Sequence, residues 1–172
     1  IAGLTASEQL VRINQATREL VNTQYSTYTR SLIPLLNNEG LYLVDSYEQL
    51  NDEQAAFVDR YFMESVYPVL TPMAVDASRP FPLIRNKTLN IAALLANKEN
   101  KRETVFATVQ VPGVLPRLVQ IPSEEGTKAF ILLEQIIERN ISKLFSNYKL
   151  LCAYPYRIMR NADLTIDEEE AS

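Results

Sequence analysis

Residues 89–111, LNIAALLANKENKRETVFATVQV, decide the fold class. Two strand-like runs, Leu89 to Leu95 and Thr104 to Val111, flank the polar tip Asn97-Lys98-Glu99-Asn100-Lys101-Arg102, which is the pattern of a β-hairpin. Downstream, Arg117 to Ile121 lies between Pro116 and Pro122 and reads as a short or edge strand, because proline cannot donate to a ladder. Phe130-Ile131-Leu132-Leu133 leads into Glu134 to Phe145, where Ile136, Ile137, Ile141, Leu144 and Phe145 recur at helical spacing, and Leu150 to Met159 returns as a final strand. Upstream, four prolines fall in the fifteen residues from Pro68 to Pro82, an irregular connection too apolar for a flexible linker. Before it, Asn51-x-x-Gln54 signals a helix carrying Phe57, Val58, Tyr61, Phe62 and Val66 that ends near Pro68, and Leu41 to Val44 is compatible with a strand.

The first long segment, Thr5 to Asn38, opens with the capping box Thr5-x-x-Glu8. Leu10, Ile13, Leu20, Val21, Tyr25, Tyr28, Leu32 and Leu36 mark one stripe of an amphipathic helix, Pro34 kinks or shortens its last turn, and Gly40 supplies the stop. Such a helix runs on the order of 50 Å, against about 35 Å for a compact domain of this size. It therefore overhangs the fold or packs on a surface outside this chain. The resulting fold class is α+β, a long N-terminal helix followed by a mostly antiparallel sheet with packed helices. Thr165-x-x-Glu168, with Asp167, Glu169 and Glu170, announces a further helix; a solvated acidic tail is the other reading.

The 172 residues contain no histidine, which removes Ser-His-Asp and Cys-His nucleophile systems and His-dependent metal sites. The four glycines (Gly3, Gly40, Gly113, Gly126) are too dispersed for a phosphate-cradling loop. The single cysteine, Cys152, forms no internal disulfide, which fits a reducing, cytoplasmic compartment. A net charge of −4 argues against a dedicated nucleic-acid module. The longest apolar run, Leu89 to Ala96, is too short for a transmembrane segment, which needs ~20 residues. Ile1-Ala2-Gly3-Leu4 has neither an initiator Met nor a signal-peptide pattern and reads as a cut end.

No catalytic constellation emerges. Asp52 with Glu53 and Glu124 with Glu125 read as solvated charges. The nine tyrosines fit core and interface packing better than a base-stacking platform. Arg79, Arg85 and Lys87, interleaved with Phe81 and Asn86, form the best candidate for an anion-contacting patch, with surface ion pairing as the other reading. Arg117 in VLPRLVQIP faces an anion or a partner carboxylate, or is an outward charge that guards an edge strand.

YFMESVYPVLTPMAVDASRPFPLIRNKTLNIA (61–92), FATVQVPGVLPRLVQIPS (106–123), FILLEQII (130–137) and YRIMRNADLTIDEEEA (156–171) together resemble the histidine-phosphorylating family of polyphosphate kinases. The stretch before them resembles the last long helix of that family's N-terminal domain, so residues 1–39 correspond to that helix and 40–172 to most of the head (middle) domain. The resemblance implies a large cytoplasmic or membrane-associated enzyme that reversibly transfers the terminal phosphate of ATP to inorganic polyphosphate, through a phosphohistidine and with Mg²⁺. It places the phosphorylated histidine and the metal-binding groups in C-terminal domains and a nucleotide-contacting asparagine near the start of the N-terminal domain. None of these falls within the 172 residues. The head domain is then expected to act in dimer formation, and the fragment alone to be inactive. Other readings are a stand-alone interaction module and a polyanion-binding module using Arg79, Arg85, Lys87 and Arg117.

Overall fold

A computed structural model describes residues 3–75, 82–98 and 104–160. The chain divides into two compact units, one built from 1–43 and 123–130, the other from 44–122 and 131–172.

In the first unit the long helix is present as α1 (Ala6–Thr27), a wide π turn (Tyr28–Leu32) and α2 (Ile33–Asn38). Its capping box forms as expected: the Glu8 amide donates to Thr5 Oγ1 at 3.3 Å, and the Thr5 amide donates to Glu8 Oε2 at 2.8 Å. Pro34 has no N–H for the carbonyl four residues back, and its ring crowds that carbonyl. The helix answers just upstream, where the Ile33 amide reaches five residues back to the Tyr28 carbonyl. The proline thus widens the helix without ending it. Gly40 ends it at φ 71, a left-handed conformation that a side chain resists. None of α1 is buried, and its apolar stripe lies open, with Leu10 61% and Leu20 71% exposed. β1 (Leu41–Leu43) pairs in parallel with the start of β6 (Lys128–Leu132), Leu41 opposite Lys128.

The second unit opens with a one-turn 3-10 helix (Tyr47–Gln49) and α3 (Asp52–Tyr61), whose Asn51/Gln54 capping box also forms. A second π turn follows (Phe62–Val66), again two residues before a proline, Pro68, and a 3-10 turn (Tyr67–Val69) completes the segment. β2 (Pro72–Val75), β3 (Leu89–Asn97), β4 (Thr104–Gln110) and β7 (Tyr148–Arg157) form a sheet in the order β2-β4-β3-β7. All three of its pairings are antiparallel. The expected hairpin is β3 with β4, in register from Asn90 opposite Gln110 to Ala96 opposite Thr104. β5 (Leu118–Ile121) is a four-residue strand at the end of the order β1-β6-β5, as its flanking prolines require. The expected helix from Glu134 to Phe145 is α4 (Leu133–Asn140) continued by a 3-10 turn (Ile141–Leu144).

The core of this unit lies where α4 packs on β3, β7, α3 and the Phe62–Val66 turn. Ile136, Ile137 and Ile141, together with Val58, Phe62, Val66, Ile91 and Leu95, are all fully buried. Of the expected features, Arg79 and the Thr165/Glu168 capping box lie outside the described residues.

Candidate functional site

At one end of the four-stranded sheet the chain turns tightly into β3. The turn Arg85-Asn86-Lys87-Thr88 closes on itself, with Thr88 Oγ1 donating to the Arg85 carbonyl at 2.8 Å. It is anchored from within by Asn90, a buried side chain whose Nδ2 donates to the carbonyl and the hydroxyl of Thr88 at 3.0 and 3.1 Å. It is also stapled to the exit of β7: the Lys87 amide donates to the Ile158 carbonyl at 2.8 Å, and the Arg160 amide donates to Asn86 Oδ1 at 3.0 Å. Arg157, the last residue of β7, stands opposite Leu89. Arg85, Lys87, Arg157 and Arg160 are all exposed, and none has an ion pair or hydrogen bond to a carboxylate among the described residues. Arg85 also lines an open cleft of ≈ 420 Å³ with Val69, Thr71, Met73, Gln110 and Gly113. Arginine forks and a lysine ammonium can hold phosphate-like oxygens here.

Arg117 sits elsewhere and is already engaged. Its Nε donates to Glu134 Oε1 and Oε2 at 3.1 and 3.3 Å, and its Nη2 to Oε1 at 2.5 Å. The carboxylate it meets is therefore within the chain, on the first turn of α4. That hydrogen bonding pushes the Arg117 guanidinium further above its ordinary range. One helical turn on, Glu138 is pushed above the usual carboxylate range, first by burial and then by the Glu134 charge. Arg139 grips Asp59 on α3 with two bonds of 2.9 and 3.2 Å and holds its carboxyl below the ordinary value, against a smaller desolvation penalty. Asp52, Glu53, Glu124 and Glu125 are exposed, as solvated charges should be.

The raised Glu138 gives a first prediction. A carboxyl whose folded pKa exceeds its unfolded value favours folding when protonated and loses that contribution as pH rises through the folded pKa. Glu138→Gln is therefore expected to raise the melting temperature at pH 7 and to leave it unchanged at pH 3.5, where wild-type Glu138 is already neutral. A melting temperature lowered at pH 7 but not at pH 3.5 would show instead that the carboxylate is a favourable contact.

A sequence profile described as the polyphosphate kinase middle domain matches residues 53–172. The chain belongs to the polyphosphate kinase family. It is 45% identical over 170 residues to a polyphosphate kinase of Halalkalibacterium halodurans, covering 99% of this chain and 24% of that protein. It is 47% identical over 171 residues to one of Lactiplantibacillus plantarum, covering 99% of this chain and 23% of the relative. The crystal structure of the polyphosphate kinase from Porphyromonas gingivalis superposes with a TM-score of 0.77 at 29% identity, over 94% of this chain and 26% of that one. The chain thus spans about a quarter of the length of these polyphosphate kinases.

Of the sequence-derived cations, Arg85 and Lys87 share one turn and Arg117 lies apart from it in an ion pair. Arg157 and Arg160 escaped notice in the sequence. Their only signal there is the spacing Arg-x-x-Arg at the end of the last strand, and what makes it meaningful is the β3–β7 register, which brings them beside a turn some seventy residues earlier.

Proposed function

We propose that this chain is the head-domain part of a polyphosphate kinase, the enzyme that reversibly moves the terminal phosphate of ATP onto inorganic polyphosphate through a phosphohistidine. Residues 40–172 form most of that domain, and residues 1–39 are the last helix of the preceding helical domain. The observation that carries this reading is the middle-domain match over 53–172 in a chain that covers about a quarter of its relatives. The exposed stripe of α1 agrees with it, since such a stripe on a helix calls for a covering surface.

Histidine is absent from the sequence, so the phosphorylated residue belongs to another part of the enzyme. Among the described residues no three His, Cys, Asp or Glu side chains gather as a metal ion needs, and no step through Mg²⁺ is assigned to this chain. Among those residues, too, no helix is long and apolar enough to cross a membrane. The enzyme acts in the cytoplasm or at a membrane surface, and the head domain contributes scaffold and dimer contacts.

Two measurements test the reading. Incubation of the purified 172-residue chain with ATP and Mg²⁺ is expected to yield no polyphosphate, and detectable transfer would overturn it. Sedimentation is expected to show self-association; a strictly monomeric chain at high concentration would remove the dimer role.

A further inference from the structure

We propose that the corner formed by Arg85, Lys87, Arg157 and Arg160 is a binding site for the inorganic polyphosphate chain, a use of the head domain that rests on the family reading above.

The first argument is electrostatic. The chain carries 21 acids against 17 bases, so carboxylates are plentiful, and Arg117 and Arg139 have each taken one. The four cations at this corner have taken none among the described residues, although their backbones are tied together. Like charges gathered with no carboxylate partner among the described residues favour an anion from outside.

The second argument is strain. Lys87 is the one described non-glycine residue with positive φ, at 63°. A side chain with a Cβ resists this left-handed conformation, and asparagine or glycine tolerates the position better. The turn nevertheless presents a lysine there. The conformation is imposed from both sides, by the Ile158 carbonyl on the Lys87 amide and by the Asn90 anchor under Thr88. A strained residue that surrounding bonds hold fast is how a fold fixes a functional group in place.

The third argument is chemical. Polyphosphate is a flexible strand with a charge on each unit and no base or sugar to recognise. A site for it needs several spaced cations rather than a closed pocket. The two strand ends supply them, and Arg85 carries the path on to the lip of the ≈ 420 Å³ cleft.

The test is retention of inorganic polyphosphate by the 172-residue chain across a salt series, with no ATP present. Affinity is expected to fall steeply with salt. Arg157→Gln with Arg160→Gln should weaken binding about tenfold and reduce the log-log salt slope by roughly 1.4, at ~0.7 per neutralised phosphate of a single strand. Lys87→Gly should weaken binding while the melting temperature holds or rises, which separates loss of a contact from loss of the fold. Arg12→Gln with Arg18→Gln, on α1, should change nothing. Absence of wild-type binding at low salt would overturn the proposal, as would equal losses from the α1 pair or unchanged binding by Lys87→Gly. Duplex DNA held as tightly, with the same dependence on Arg157 and Arg160, would also overturn it by showing a general polyanion patch. Because no phosphate is transferred in this assay, its failure would leave the enzyme assignment standing.

Discussion

Phe62→Ala is expected to lower the unfolding free energy by about 3–5 kcal/mol, the range for truncating a fully buried aromatic ring. Phe62 is fully buried and opens the second π turn, where α3, α4 and the sheet converge. Its ring meets Tyr67 edge-on at 6.0 Å and 67°, and Lys143 Nζ lies 5.8 Å from its centroid. The upper part of the range is expected because the cavity has little means of collapse. The Phe62 carbonyl is already bound by the Tyr67 amide, and Pro68 fixes the backbone just beyond. Phe57, half-buried and stacked on Tyr61 at 6.2 Å, provides the contrast, and its truncation should cost clearly less. Urea titration reads both, as a fall in the midpoint at constant slope. A loss under ~1 kcal/mol for Phe62→Ala would mean that the turn repacks and is not part of the core.

The two π turns show where sequence reading succeeds and where it stops. Pro34 and Pro68 announce disturbances at the right places, because a missing donor and a crowding ring are local facts. Whether the helix breaks or widens depends on whether the next turn has a reason to continue. After Pro34 the helix runs on to Asn38, whereas around Pro68 it tightens into the 3-10 turn Tyr67–Val69 and ends. Both capping boxes, the hairpin and the proline-bracketed edge strand were legible for the same cause: each is written in contiguous residues. So was the family, carried by blocks in fixed order. The partner of Arg117 was not legible, since seventeen residues and a change from β6 to α4 separate it from Glu134 and no periodicity links them. The grouping of Arg85 and Lys87 with Arg157 and Arg160 was hidden more deeply. It depends on the β3–β7 register, which shifts between Leu94 and Leu95, and no short-range signal in the sequence reports that shift.

Arg117→Met is expected to cost about 2 kcal/mol at neutral pH, the result of leaving a nearly buried carboxylate without its partner. The Glu134 side chain is 7% exposed and that of Arg117 58%, so water reaches the guanidinium and the loss falls short of that for a fully enclosed pair. The pairing identifies the cause: without Arg117 the Glu134 side chain stays nearly buried and has lost its ion pair. Glu134→Gln alone should cost less than Arg117→Met, because the arginine it releases is already half in water and the amide oxygen still accepts from it. Combining Arg117→Met with Glu134→Met should recover part of the Arg117→Met loss, since two apolar groups replace a charge and an orphan. A double variant whose loss is the sum of the single ones would show that Arg117 contributes through its aliphatic stem and that the ion pair is incidental.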